Sequence, residues 1–265
     1  MIIDTHAHYD DDAFREDMDE LLSSFPNRSI ELVVNASASM EECKATIELM
    51  EKYPFVYGML GVHPDEVYEL NETAIPYLEK KCNELKIANG GKIVAVGEIG
   101  LDYSREEADR EKQKYWFMEQ LRLAKRVKLP VNIHSRDAAN DTLEILKKEH
   151  AEDIGGIIHC YSYSVEMARE FLKLGFGFGI GGVVTFKNAR KLVEAVTEIP
   201  MENIVLETDA PYLAPTPHRG ERNDSSNLSL VAAKIAELKG LTPAEVINIT
   251  NKNAKRIYGI DGYTG

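Results

Sequence analysis

The sequence predicts a single (β/α)8 TIM barrel, and three observations carry that prediction. Eight short apolar runs alternate with longer amphipathic ones. The 265 residues match the roughly 250 that one barrel uses. An open doubly wound sheet, the competing architecture, wants a glycine-rich turn after its first strand. Here that turn reads Thr5-His6-Ala7-His8, with no glycine.

The elements follow in order. Strand Met1–Thr5 leads to a helix at Asp11–Ser24, whose Phe14, Met18 and Leu21 form one stripe. Strand Glu31–Ala36 leads to helix Ser39–Lys52, which opens on Ser39-x-x-Glu42, a capping-box pattern. Strand Phe55–Val62 precedes helix Asn71–Ala88, and strand Lys92–Ile99 precedes helix Glu106–Lys128. Pro130–His134, Gly155–Cys160 and Gly175–Ile180 are strands followed by helices Asp137–His150, Ser164–Leu174 and Asn188–Glu198. Asn203–Thr208 is the eighth strand. Two helices close the chain, Leu228–Leu238 and Pro243–Tyr258, with Thr242 as N-cap and Pro243 at the first helical position. The strands are rich in Val and Ile, and many are flanked by Gly, Pro or Asn. No long linker, low-complexity segment or short-period repeat interrupts this order, so residues 1–265 read as one domain.

Composition excludes several classes. The chain is 44% hydrophobic, ordinary for a folded domain. Its three cysteines, Cys43, Cys82 and Cys160, are too few and too scattered for a disulfide scaffold. No apolar run reaches the ~18 residues that span a bilayer, and the N-terminus lacks the pattern of a signal peptide. A reducing, cytoplasmic setting with no membrane role and no obligate protein partner is the expectation. Asp and Glu number 44 against 31 Lys and Arg, a net charge of −13. That argues against broad electrostatic capture of nucleic acid.

In a barrel the reactive groups sit at the C-terminal ends of the strands. Those exits carry His6 and His8, His63, Glu98 with Asp102, His134 with Arg136, His159 with Cys160 and Tyr161, and Glu207 with Asp209. His6/His8, His134/Arg136, His159/Tyr161 and Glu207/Asp209 are i, i+2 pairs, which share a strand face; Cys160 should face away from His159. Of seven histidines, only His150 and His218 lie elsewhere. Taken singly, Glu98 reads equally as an ion-pair partner and Asp209 as a helix cap. Together, four imidazoles and two carboxylates gathered at one mouth suit divalent metal. Six groups exceed the three plus water of one catalytic zinc and match two ions bridged by a carboxylate. Structural zinc favours thiolates, and only Cys160 lies near the set.

The stretches DTHAHYD (4–10), GVHPDE (61–66), GEIGLDY (97–103), NIHSRDA (132–138), HCYSYS (159–164), GIGGVVTFKNA (179–189) and LETDAPYLAPTPHRGERNDSSNL (206–228) resemble the TatD family of metal-dependent hydrolases. The resemblance runs nearly end to end. It implies an amidohydrolase-like barrel with two divalent ions (Mg, Mn or Zn). It also implies hydrolysis of phosphodiester bonds in DNA, with 3′-to-5′ exonuclease action on single strands or ends. Carried over by position, it implies His6, His8 and Asp209 for one ion, His134 and His159 for the other, and Glu98 as the bridge. Asp209 and Glu98 become the catalytic pair, with Asp209 taking the proton of water. His63, Arg136 and Tyr161 match substrate-pocket positions. Tyr163 stands where the family usually has Gly, which predicts a bulkier loop that would resist positive φ. RNDSSNL replaces the commoner RNEP form.

Two other functions fit parts of the pattern. A barrel hydrolase of small esters, lactones or amides would use the same activated water. A barrel kept as a binding scaffold would have lost a ligand, and none is lost here. Glu207 reads as a group holding a nearby His or Arg in place, or as a buried structural ion pair. Arg219, Arg222 and Lys187, in loops expected on the same face, read as phosphate contacts or as solvated surface. Phe186 reads as a base-stacking candidate, and Phe176 and Phe178 as core.

Overall fold

A strand buried on both faces needs a nearly continuous apolar run, and all eight runs are strands. In the computed structural model, which describes residues 1–260, they are β1 (Ile2–Ala7), β2 (Ile30–Ala36), β3 (Val56–Leu60), β4 (Ile93–Asp102), β5 (Val131–Arg136), β6 (Gly156–Ile158), β7 (Gly177–Ile180) and β8 (Ile204–Leu206). All neighbours pair in parallel, in chain order. The last five residues of the expected domain, 261–265, lie outside the described residues. At the mouth the ring closes through backbone: the Asp209 amide donates to His6 O at 3.0 Å and the His8 amide to Ala210 O at 2.7 Å.

The helices are α1 (Met18–Ser24), α2 (Met40–Lys52), α3 (Ala74–Leu85), α4 (Arg110–Val127), α5 (Ala139–Lys148), α6 (Val165–Lys173), α7 (Arg190–Glu198), α8 (Leu228–Lys239) and α9 (Pro243–Tyr258). Their buried faces join the strands in one large apolar cluster that includes Phe14, Phe117, Phe171 and Phe178. A smaller cluster gathers Ile3, Val34, Met59, Val94 and Val205 with Tyr258 and Ile260 from the C-terminal end. None of the helices is long and apolar enough to cross a membrane.

The structure corrects several expected boundaries. The segment Asp11–Ser24 is not one helix. Asp11 caps a 3-10 turn at Asp12–Phe14, and α1 starts afresh at Met18. This break lets Phe14 bury itself on Tyr9, ring centroids 4.8 Å apart. α3 and α4 are trimmed; Asp109 caps α4 by accepting the Lys112 amide, and Lys128 ends it in the left-handed region. The Ser39 box is altered: its hydroxyl accepts the Glu42 amide, but Glu42 Oε2 accepts the Ala38 amide. α9 has the full box between Thr242 and Glu245. Most consequential for the mouth, β4 runs on to Asp102, whereas β6 stops at Ile158 and β8 at Leu206.

One buried carboxylate ties the mouth together. Asp4, on β1, is fully buried. Its Oδ1 accepts the amides of His6 and Thr208, at 3.3 and 3.0 Å. Its Oδ2 accepts the hydroxyls of Thr208 and Ser225, at 2.6 and 2.7 Å. Burial pushes its pKa up to about 7, and the donors restrain the rise. The Ser225 and Thr208 hydroxyls keep Tyr9 and His6 O as partners, so Asp4→Ala leaves chiefly the His6 and Thr208 amides without an acceptor, each costing about 1–3 kcal/mol when buried unpaired. A loss of about 3 kcal/mol is expected in urea unfolding; an unchanged midpoint would refute this linking role.

Candidate metal centre

The two histidines of β1 have their outer nitrogens fixed by the barrel. Tyr258 donates its hydroxyl to Thr5 O at 3.1 Å, so it accepts from Asn132 Nδ2, also at 3.1 Å. Asn132 Oδ1 is thereby turned to His6 Nδ1, 2.9 Å away. His8 Nδ1 donates to Ala36 O at 3.0 Å. Both Nδ1 atoms therefore carry protons, and the Nε2 atoms face each other across 3.0 Å. Glu98 Oε2 stands 3.4 Å from His6 Nε2 and 3.7 Å from His8 Nε2. Asp209 Oδ1 stands 3.7 and 3.5 Å from the same two atoms. Ligands about 2.1 Å from a tetrahedral metal stand about 3.4 Å apart, close to these five separations, and His6, His8 and Asp209 form a set with the dimensions of one ion's donors.

The other oxygen of Glu98 serves a second pair. Oε1 lies 2.9 Å from His134 Nδ1 and 3.6 Å from His159 Nε2. A carboxylate stands behind each of these rings: His134 Nε2 hydrogen-bonds Asp102 Oδ2 at 3.0 Å, and His159 Nδ1 lies at ion-pair distance, 3.0 Å, from Glu207 Oε1 without the alignment of a hydrogen bond. His159 also stacks on His6 with centroids 3.6 Å apart. The second carboxylate oxygen of Glu207 is buried without a hydrogen-bond partner among the described residues.

The electrostatics are those of a crowded ionic cluster. Burial alone would raise Glu98; the imidazoles of His6, His159, His63 and His134 hold it well below the usual carboxylate range. Burial opposes protonation of His8, His134 and His159. Asp209 and Glu98 nevertheless hold His8 up to about 9, Asp102 and Glu98 hold His134 up to about 9, and Glu207 and Glu98 hold His159 up to about 10. His6 is pushed down, by burial and then by the charge of His159. A metal takes imidazole only after the proton leaves. His6, His8 and Asp209 form one group with ligand atoms close enough for an ion, and His6, Glu98 and His159 another.

The sequence-derived residues therefore meet at one mouth, with one exception. His8, His63, Glu98, His134, Arg136, His159 and Asp209 line a cavity of about 1000 Å³, and His6 is buried beneath it. Tyr161 does not join them. It is 2% exposed, its hydroxyl donates to Ser164 O at 2.5 Å, and its ring packs on Phe178. Cys160 lines the cavity instead. The reason is that β6 ends at Ile158 and Cys160 adopts φ 45°, so strand alternation does not extend past His159. Asp209 caps no helix; it has φ 58° and leads into a turn. Arg222 is spent on Asp17 at 2.6 Å and Arg219 stacks over Phe186. These two and Lys187 lie away from the cavity.

Sequence reading gave no role to Asn132 or Asp102. Each had a signal, an even offset from a ligand candidate on its own strand (His134 and Glu98), which places it on the same face. Tyr163 avoids positive φ. Its hydroxyl spans to Ser135 Oγ at 3.0 Å and takes the Ala138 amide at 3.3 Å, bracing the turn after β5.

Gly179 makes room for Glu207: a Cβ there would fall 1.9 Å from Glu207 Oε2. Gly179→Ala should push Glu207 off His159 and lower metal content measured by elemental analysis, with the circular-dichroism spectrum retained. Full metal content would show that Glu207 does not position His159.

Comparison with known proteins agrees with this geometry. Residues 3–259 match the family described as TatD related DNase. The uncharacterized metal-dependent hydrolase YabD of Bacillus subtilis is 40% identical over 98% of this chain and 100% of its own. The uncharacterized metal-dependent hydrolase YcfH of Escherichia coli is 33% identical over 98% of this chain and 96% of its own. The crystal structure of the TatD homologue YjjV from Escherichia coli superimposes with a TM-score of 0.90 at 29% identity, covering 97% of this chain and 98% of that one. A barrel whose mouth gathers four imidazoles around a shared carboxylate, matched along its whole length by such relatives, belongs to the TatD family of metal-dependent hydrolases.

Proposed function

We propose that this chain hydrolyses phosphodiester bonds of DNA, acting on single strands or ends, with two divalent ions. The observation that carries the substrate class is Arg136. Its guanidinium lines the metal-site cavity and makes no ion pair among the described residues. A planar cation kept without a carboxylate beside a metal centre suits a phosphate. A neutral lactone or amide gives it no partner. The family's description as DNases supports the same reading. The three unpaired cysteines support a reducing, cytoplasmic setting.

The donor set fits two ions because Glu98 addresses a different pair of imidazoles with each oxygen. His6, His8, Asp209 and Glu98 Oε2 would hold one ion, and His134, His159 and Glu98 Oε1 the other. Bound there, such ions supply Lewis acidity and a water acidified toward neutral pH. Of the two carboxylates among the ligand candidates, Asp209 has the more exposed side chain, 18% against 4% for Glu98. It takes the proton of the attacking water, as a general base must stand within reach of it. Arg136 neutralises charge on the phosphoryl oxygens. His63 adds a neutral donor: its Nδ1 accepts the Asp65 amide at 3.1 Å, which puts its proton on Nε2. Burial and the neighbouring His134 hold its pKa down to about 3, so it stays uncharged.

Purified, metal-loaded protein should release nucleotides from end-labelled single-stranded DNA and leave lactones untouched. Lactone turnover without nucleotide release would reject the reading. Asp209→Asn, nearly isosteric, should cut kcat at least 100-fold, the range of a lost general base, with an unchanged circular-dichroism spectrum. Arg136→Ala should lower kcat/KM on phosphodiesters about tenfold, and Arg136→Lys should recover only part, since the forked geometry is lost. Removing metal with a chelator should abolish activity and lower the melting temperature, both restored by add-back of Mn or Mg; a chelator-insensitive protein would exclude the metal assignment.

A further inference from the structure

The mouth carries an apolar feature that the metal chemistry does not use. Among the described residues, five large hydrophobic side chains are exposed: Met1, Tyr68, Tyr115, Tyr212 and Leu213. Only Tyr212 and Leu213 line the cavity of the metal centre. They lie three and four residues past Asp209, and the Tyr212 ring stands 6.4 Å from the ring of His8.

This pair is held rigidly rather than left loose. The Tyr212 hydroxyl donates to Asp11 Oδ2 at 2.6 Å. Asn223, 1% exposed, clamps the backbone: its Nδ2 donates to Thr208 O and Tyr212 O at 3.0 and 2.8 Å, and its amide to Pro211 O at 2.9 Å. Leu213 has φ 54°, a conformation that costs a side-chain-bearing residue about 1 kcal/mol. Gly182 lies against it so tightly that a Cβ there would meet Leu213 O at 2.1 Å. An exposed Leu at a position that suits glycine, on a clamped loop at the lip of a reactive site, presents apolar surface at a conformational cost.

The charges around the mouth are unevenly divided. Arg136 extends from the exit of β5, which chain order places across the barrel from β1; Arg105, past β4, is paired with Asp65 at 2.9 Å. On the Tyr212 side the cavity is lined by Asp10, Asp11 and Asp12 after β1 and by Glu41 and Glu42 on α2, with no arginine or lysine among them. A phosphate belongs with Arg136. What rests on Tyr212 and Leu213 must be apolar, planar enough for a shallow lip, and uncharged, because carboxylates border it.

We infer that Tyr212 and Leu213 form the subsite for a nucleobase, that of the nucleotide joined to the scissile phosphate on the side facing β8 and β1. This rests on the phosphodiesterase reading above. Stacking of a base on an aromatic side chain tolerates any sequence, since every base has a π-face, so the lip confers preference for a base without preference among bases. It is a specificity element, and the metal centre itself is not altered by it.

The test uses full-length, metal-loaded protein and two readouts. The first compares kcat/KM on a single-stranded oligonucleotide with that on the same strand carrying abasic tetrahydrofuran residues at both ends. The second compares binding of deoxythymidine monophosphate with binding of deoxyribose 5-phosphate, by calorimetry. Wild type should favour the base about tenfold or more in both, the scale of one stacking contact. Tyr212→Ala and Leu213→Gly should each shrink both preferences, acting on KM more than on kcat. Leu213→Gly suits φ 54° and should melt no lower than wild type, which guards against misfolding. Equal handling of base-bearing and abasic ligands by wild type, or preferences that survive in both variants, would overturn the lip. Failure to cleave any oligonucleotide while the lip-dependent binding preference persists would instead reject the phosphodiesterase reading and keep the nucleobase subsite.

Discussion

The mouth of this barrel depends on one buried anion, Glu98. A carboxylate taken from water without partners costs several kcal/mol, and Glu98 is 3% exposed. The imidazoles of His6, His8, His134 and His159 surround it, each within 4 Å. Each ring has a partner behind it: hydrogen bonds hold His6 to Asn132, His8 to the Ala36 carbonyl and His134 to Asp102, while His159 stacks on His6 and faces the Glu207 carboxylate at ion-pair distance. The holding groups come from β2, β4 and β5 and from just past β8, and Tyr258 at the end of α9 orients Asn132. Such outer partners fix which nitrogen can meet a metal. Elements from across the barrel thus converge on the placement of two carboxylate oxygens.

The architecture was legible because it is repetitive. Eight apolar runs and the amphipathic stretches between them fit a parallel sheet covered on both faces, the glycine-free Thr5–His8 turn favours the closed barrel over the doubly wound form, and the strand exits then name the residues that meet. His6, His8, His63, Glu98, His134, Arg136, His159 and Asp209 converge as that logic requires. It failed where a strand stopped early. Tyr161 was placed beside His159 by alternation, but β6 ends at Ile158, and past that point the direction of a side chain is set by local φ. Cys160, at φ 45°, takes the cavity position and Tyr161 goes to the core. Alternation is a property of paired backbone, and sequence periodicity cannot say where three-residue strands lose their pairing.

Polar residues that orient others were harder to read than those at the mouth. Asn132 and Asp4 are buried away from the cavity, and Asp102, at its wall, is turned to His134, so no catalytic pattern marks them. Asp4 in particular looks like the start of a motif but acts as a joint, taking donors from β1 and from the segments around Thr208 and Ser225. The same is true of Asn223, in the stretch RNDSSNL (222–228). Its effect is to clamp the loop from Thr208 to Tyr212, which places the lip next to the metal centre.

Net charge gives the last constraint on how a polyanion meets this surface. The chain carries −13, and beyond a Debye length of about 8 Å at physiological salt that charge is largely screened. For the proposed substrate, long-range repulsion is therefore weak, and recognition would fall to contacts inside the mouth. There the carboxylates are divided in role: Glu98, Asp102, Glu207 and Asp209 face imidazoles, while Asp10, Asp11, Asp12, Glu41 and Glu42 border the lip without such partners. A strand of phosphates running through the mouth in both directions would meet that second group. A strand whose last phosphate lies against Arg136 would not. The acidity of the chain, which argues against a protein that coats nucleic acid, is in this arrangement compatible with one that takes a strand by its end.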